Sequence, residues 1–387
     1  MSTTREAYRK QRNVENRRKR RLNDRNSEFN LSGHNPDPAL PPEQIIWSIK
    51  NYEKCELFPH MLKNKKQKPT QAQLEHANTI AKGFQYFGHG KVVVLDGDNK
   101  GEIIAIIQFT PLEDLTPQQA ADLNIVTTFV HKCKKFVNSI SSGARCWGGK
   151  MWAFGWRKCM DSYKLAGKYL NEANIQDSQD EYEALMTSSS QPSDILGKMF
   201  QDTANVAFEQ NRDLMKKNSI PAFKSLHHQE ELGKYDCSPH LTFTTNGFYN
   251  SPHRDKQDIQ DFAFVVFLPT NVSDGSLIRT SDRYMINGGG FVFPDYGFGI
   301  DFSEQTGIVQ MVWASSKVRH CTLPAVESPS HTRMGMSLQI NKKTANTFRD
   351  IANGDIYQRP SNINKKKENL YVAGYAYSLD PSSVPKH

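Results

Sequence analysis

The sequence predicts a mainly β core of barrel type, buttressed on one face by helices from the N-terminal half of the chain. Three observations lead there. Between residues 240 and 340 the apolar residues fall into short runs (240–249, 262–268, 291–293, 298–302, 306–314, 317–323 and 333–340) bounded by turn-forming residues, the pattern of antiparallel strands. Before them, Ile125, Phe129, Val130, Cys133, Phe136, Val137 and Ile140 recur at helical spacing up to a stop at Gly143. The 387 residues are also 37% hydrophobic and 10% aromatic, enough to bury one large core.

Taken in order, residues 1–34 read as a basic tail. Arg9, Lys10, Arg12, the run Arg17-Arg18-Lys19-Arg20-Arg21 and Arg25 concentrate there much of the net charge of +8. Such a block lies along phosphates or is read by an import receptor, so a nuclear location is expected, otherwise a cytoplasmic one; the plain alternative is a solubilising extension. Residues 35–82 form a linker and N-terminal extension, opened by the four prolines of 35–42.

Residues 83–234 are expected to be a helical support region with one β-hairpin, 91–96 and 102–109 around Gly97-Asp98-Asn99-Lys100-Gly101. The stretch 177–194, acidic and then Ser/Thr-rich, reads as a surface loop before a helix running to about residue 217. Trp147, Trp152 and Trp156 read as packing residues because each indole buries a large area, and Arg157 beside them is within reach of the functional site. Residues 235–345 make the β core. Residues 346–387 form a C-terminal extension in which 371–377 suits a short strand or a docked tail.

The core carries one constellation with chemical meaning. His253 and Asp255 close a strand-like run, and on an extended segment residues two apart project to the same side while Arg254 points away. His320 follows beyond a Ser-Ser turn, and Arg333 opens another strand. Two imidazoles and one carboxylate are the set that holds Fe(II) on one face and leaves positions open for a chelating keto acid and O₂. Arg333 suits the far carboxylate of 2-oxoglutarate, since its planar fork makes two parallel charge-assisted hydrogen bonds and stays charged when buried. Both histidines must be neutral to bind metal, so occupancy is expected to fall below about pH 6.

Other apparent motifs carry less. His228-x-Glu230 lies in a polar stretch without strand alternation, and Gly288-Gly289-Gly290 lacks the helix and lysine of a phosphate loop, which leaves a tight turn or bulge. The six cysteines are scattered without zinc spacing and are expected to be reduced thiols; Cys321, beside His320, is turned away by alternation and serves packing. No run of roughly 18 apolar residues and no apolar leader is present, so neither membrane insertion nor secretion is expected.

Ser251-Pro252-His253-Arg254-Asp255, Trp313-Ala314-Ser315-Ser316 with Arg319-His320-Cys321-Thr322, and His331-Thr332-Arg333-Met334-Gly335-Met336-Ser337 resemble the TET/JBP superfamily of nucleic-acid-modifying dioxygenases, and within it the fungal, transposon-associated TET-like proteins. Residues 148–157 resemble an upstream block of the same family. The resemblance implies a double-stranded β-helix (jelly-roll) core, the cofactors Fe(II) and 2-oxoglutarate with O₂ as cosubstrate, and oxidation of a flipped methylated base in nucleic acid, methylated DNA first. The base would be 5-methylcytosine, with N6-methyladenine second. It also implies that Asp258 and Asn341 contact the base. Gln339 falls where animal members often carry an aromatic that stacks on it.

Two other readings share this constellation: an oxygenase of the same fold acting on a protein or small molecule, and a nucleic-acid-binding protein without catalysis. The complete triad and Arg333 argue against the second, the basic tail against the first.

Overall fold

The computed structural model describes residues 45–374, apart from 63–66, 141, 144, 283 and 304–306, together with residues 12 and 16. The basic run at 17–21, the proline-rich linker, most of the 63–68 lysine run and residues 375–377 lie outside the described residues.

The chain enters with β1 (Ile45–Lys50), α1 (Gln71–Ala81), β2 (Gln85–Phe87) and the hairpin β3 (Lys91–Asp96) and β4 (Ile103–Pro111). α2 (Pro117–Phe136) follows, then β5 (Gly148–Lys158) and β6 (Lys164–Lys168). Thr116 caps α2 in a reciprocal box with Gln119, and Pro117 occupies the first turn, where a missing N–H costs nothing. The helix stops at Phe136, short of Gly143. Val137 is already extended, and Ile140 N–H donates to the Met151 carbonyl at 2.7 Å, so the apolar residues after 136 lie along β5 instead.

The stretch 177–194 is helical, not a loop. α3 (Glu172–Asp177), α4 (Gln179–Thr187), α5 (Ser190–Thr203) and α6 (Asn205–Lys217) follow in succession. Their polar composition concealed a narrow inner stripe: Tyr182, Leu185, Met186, Leu196 and Phe200 are buried with the α2 residues Phe129, Val130 and Phe136. Pro192 falls in the first turn of α5, where it is tolerated.

The remaining elements are β7 (His240–Tyr249), β8 (Ala263–Asn271), β9 (Ile286–Gly288), β10 (Phe291–Phe293), β11 (Phe298–Ile300), β12 (Gly307–Trp313), β13 (Cys321–Thr322), β14 (Ala325–Glu327), β15 (His331–Gln339), α7 (Lys342–Asn353) and β16 (Tyr371–Val372). A ten-stranded sheet runs in the order β1-β3-β4-β12-β8-β15-β7-β5-β6-β16. Its centre, β12-β8-β15-β7, is antiparallel throughout. The 91–111 hairpin is continuous with it through β4 on β12, and β5 and β6 extend it beyond β7, so the sheet crosses residue 235 without a break.

A smaller sheet, β13-β10-β11-β2, faces the large one. Between them lie Val265, Phe267, Phe291, Phe293, Phe298, Met311 and Trp313. On the outer face Met334, Met336, Leu338, Leu241 and Phe243 meet the helices. Alternation along β15 therefore turns Arg333, Gly335, Ser337 and Gln339 into the barrel. This is a double-stranded β-helix with helices packed on its major sheet. The run 317–323 contributes only Cys321 and Thr322 to a ladder, because 314–318 is a turn in which Lys317 and Val318 N–H both donate to the Ala314 carbonyl.

Candidate metal centre

β7 ends at Tyr249 and Pro252 redirects the chain, so His253 meets His320 across the open end of the barrel through two reciprocal backbone hydrogen bonds of 2.9 Å. Asp255 N–H donates to the Ser315 carbonyl at 3.0 Å, which pins the carboxylate beside them. One ligand atom from each of His253, Asp255 and His320 lies within 4.8 Å of the others. His253 Nε2 stands 3.5 Å from Asp255 Oδ1, and His320 Nε2 3.5 Å from Oδ2.

The opposite ring nitrogens decide whether such a set fits a metal. His253 Nδ1 is 2.8 Å from the Ser251 carbonyl and His320 Nδ1 is 3.0 Å from the Val318 carbonyl. A carbonyl only accepts, so each Nδ1 carries the proton and each Nε2 keeps its lone pair for a cation. Trp313 Nε1 approaches His320 Nδ1 at 3.4 Å, a contact requiring the opposite tautomer; the shorter carbonyl bond prevails. The His320 ring is further held by stacking on Phe291 at 5.5 Å. The donor set, its closure and its tautomers fit Fe(II).

Burial works against charge here and the neighbours override it. Burial alone would lower the His253 pKa, but the Asp255 carboxylate raises it on balance. Burial disfavours the Asp255 charge, yet the two imidazoles beside it hold its pKa far below the usual carboxylate range. Gln339 Nε2 also donates to Asp255 Oδ2 at 2.8 Å. The Gln339 amide thus orients the carboxylate.

The residues flanking the cluster converge on one buried carboxylate. Asp295, 2% exposed, accepts from Arg319 Nη2 at 2.6 Å and Nε at 3.1 Å, and Arg254 Nη2 stands 3.9 Å away. Arg319 also pairs with Glu56 at 2.9 Å and donates to the Cys55 carbonyl. Asp295 thereby ties the His253 segment, the His320 segment and the N-terminal extension together. Asp295→Ala should cost about 3–5 kcal/mol of stability, since it leaves Arg319 without its main partner. The denaturant midpoint should fall, and iron affinity with it; an unshifted midpoint would contradict this role.

Arg333 is 7% exposed, and burial lowers its pKa. Its guanidinium lies 4.1 Å over the Phe302 ring, and Nη1 donates to the Gly289 carbonyl at 2.7 Å. Gly289 has φ +73, and a Cβ there would sit 2.8 Å from Nη1, so only glycine permits this approach. The nearby Glu327 carboxylate is engaged by Arg333 N–H, Thr332 Oγ1 and Gly247 N–H, not by the guanidinium. Tyr284 Oη is buried without a hydrogen-bond partner, and the residue lines the same narrow pocket as Arg333, Phe267 and Phe302. A buried cation without a paired carboxylate among the described residues, beside an unsatisfied hydroxyl, fits a carboxylate ligand. The groove of ≈ 440 Å³ between α2 and α4 contains none of these residues.

Asp258 and Asn341 face each other in an isolated bridge. Burial and the Asp255 charge push the Asp258 pKa up to about 7. Asn341 caps α7, its side chain accepting from Lys343 N–H at 3.0 Å. Arg157 packs 5.0 Å over the Tyr169 ring. Trp147, Trp152 and Trp156 are buried, and Cys321 is buried in the cluster behind the small sheet. His228-x-Glu230 adopts no strand. The six cysteines are free, and no described helix is long and apolar enough to cross a membrane.

Sequence reasoning passed over Asp295, Tyr284 and the Gln339 contact. Only Gly288-Gly289-Gly290 gave a signal, that of a close backbone approach.

The family model for the Tet-like 2OG-Fe(II) oxygenase superfamily matches residues 116–325, more than half of the chain. His253, Asp255 and His320 fall within the match; Arg333 and Asn341 lie beyond it. Among solved structures, NgTET1 in complex with 5mC DNA is similar at 10% identity over 74% of this chain and 92% of that chain, with a TM-score of 0.35. An oxidoreductase of the 2OG-Fe(II) oxygenase family from Burkholderia pseudomallei shares 9% identity over 61% and 84%, with a TM-score of 0.29. A Pseudomonas putida prolyl-4-hydroxylase shares 13% over 61% and 91%, with a TM-score of 0.25. No curated protein matches.

Proposed function

The chain belongs to the Tet-like 2OG-Fe(II) oxygenase superfamily, and from that premise we propose that it oxidises a methylated base in nucleic acid, 5-methylcytosine before N6-methyladenine. The observation that carries the reading is the cluster His253, Asp255 and His320, each imidazole tied off at Nδ1, with Arg333 buried in the same barrel without a carboxylate partner among the described residues. The net charge of +8 and the basic block at residues 9–25 support a polyanionic partner.

In this reading His253, Asp255 and His320 hold Fe(II), and Arg333 pairs the far carboxylate of 2-oxoglutarate. Bound there, Fe(II) with 2-oxoglutarate and O₂ supplies oxidative decarboxylation to succinate and CO₂ coupled to hydroxylation of a substrate C–H bond. The chain's own work is positional. Ser251 and Val318 fix the imidazole tautomers, Gln339 fixes the carboxylate, and Phe291, Phe302 and Trp313 keep water from the inner wall. Asp258, its pKa raised by burial and by the Asp255 charge, is suited to meet a base edge as donor or acceptor.

Asp258→Ala should therefore lower oxidation of methylated DNA about tenfold more than it lowers uncoupled succinate formation, by loss of one buried hydrogen bond to the base. Both products are read from one reaction by mass spectrometry. Equal loss of both would move Asp258 into the iron or cosubstrate machinery.

A further inference from the structure

The inner face of the large sheet carries a polar row that the metal cluster does not use. His240 pairs in register with Gln339, whose amide holds Asp255, and on its other side with Gly155. Paired residues of antiparallel strands share a face, so His240 opens on the same chamber as Gln339. Beyond Gly155 comes Tyr169, whose N–H donates to the Gly155 carbonyl at 2.9 Å.

Gly155 has φ +107, and a Cβ there would lie 2.5 Å from the Pro239 carbonyl oxygen and 3.0 Å from His240 Cα. The Tyr169 and His240 rings stand 6.2 Å apart, and Arg157 covers Tyr169. The row ends in unsatisfied atoms: His240 Nδ1 and Arg157 Nε are both buried without hydrogen-bond partners.

Buried ring nitrogens are normally paired, and each unpaired one costs free energy. His240, 7% exposed, is held neutral by burial and by the nearby Arg145 charge, with a pKa of about 4. The Arg145 charge acts likewise on Tyr169, His253 and Asp258. A neutral imidazole is a poor phosphate ligand and a good partner for an uncharged base edge.

We infer that His240 is a specificity-determining residue that hydrogen-bonds the substrate base through Nδ1, opposite Asp258. The inference rests on the reading of the substrate as a methylated base. Two substitutions separate hydrogen bonding from packing. His240→Asn keeps a polar amide near the Nδ1 position, whereas His240→Phe keeps the ring and its contact with Tyr169.

The KM for a short methylated oligonucleotide and its binding to the iron-free protein by fluorescence anisotropy are measured beside the KM for 2-oxoglutarate. His240→Phe should weaken oligonucleotide KM and binding about tenfold, with the 2-oxoglutarate KM unmoved, and His240→Asn should recover most of the loss. A Phe variant that binds and turns over like wild type, or Asn and Phe variants that lose 2-oxoglutarate affinity equally, would overturn the inference and make His240 a packing residue. Wild-type protein that decarboxylates 2-oxoglutarate yet neither binds nor oxidises the oligonucleotide would instead overturn the substrate reading, and this inference with it.

Discussion

His253→Ala, Asp255→Ala and His320→Ala are each expected to abolish 2-oxoglutarate turnover and to lower iron affinity by at least about tenfold to a hundredfold. Three ligands is the minimum this cluster offers, and a change even in groups that merely orient ligands costs about that much in other metal sites. Asp255 should show the largest effect. Its carboxylate is the cluster's only negative charge, and it faces both imidazoles at 3.5 Å. Removing it leaves two neutral donors and one partly buried amide, Gln339, without its acceptor. Isothermal titration with Fe(II) under anaerobic conditions reads the affinity, and succinate formation reads the turnover. Near-wild-type succinate formation by any of the three variants would contradict the assignment.

Arg333→Leu is expected to raise the 2-oxoglutarate requirement roughly a hundredfold while leaving iron affinity in place, because a carboxylate would then enter a largely apolar pocket unpaired. The fold should tolerate the change. The guanidinium is buried between Phe267 and Phe302 with one carbonyl as its hydrogen-bond partner, so an apolar side chain of similar reach removes a desolvated charge rather than an ion pair. Arg333→Lys should fall between the two, keeping the charge without the two-pronged geometry. Titration of 2-oxoglutarate against each variant, alongside a melting curve, measures both effects. Lost iron binding with unchanged cosubstrate affinity would show the arginine to be misplaced.

Much of the barrel was legible because its strands are short, apolar and turn-bounded, and because strand geometry fixes which residues share a face. The i, i+2 relation of His253 and Asp255 belongs to that geometry, as does Arg333 on the inner face of β15. What stayed hidden depended on pairings between strands. Asp295 meets Arg319 and Arg254 only after the two sheets close, and His240 comes beside Gln339 only through the register of β7 on β15. The helical turns up to residue 194 were hidden for a different reason. Their solvent faces are acidic and serine-rich, and the few apolar residues that α4 turns inward, Tyr182, Leu185 and Met186, are too sparse to declare a period. The C-terminal end of α2 was over-extended because Val137 and Ile140 continue an apolar pattern that the chain uses to lie along β5.

Iron-dependent decarboxylation at this cluster is expected to be coupled to oxidation of a methylated base. Succinate and oxidised nucleoside should be quantified by mass spectrometry from one reaction containing the protein, Fe(II), 2-oxoglutarate and DNA bearing 5-methylcytosine. Succinate should accumulate at one or more equivalents per oxidised nucleoside, one for each oxidation step, and both products should vanish without Fe(II) or 2-oxoglutarate and in His320→Ala. Succinate formed without any oxidised nucleoside, from DNA carrying either 5-methylcytosine or N6-methyladenine, would contradict the nucleic-acid assignment and leave an oxygenase of a different substrate.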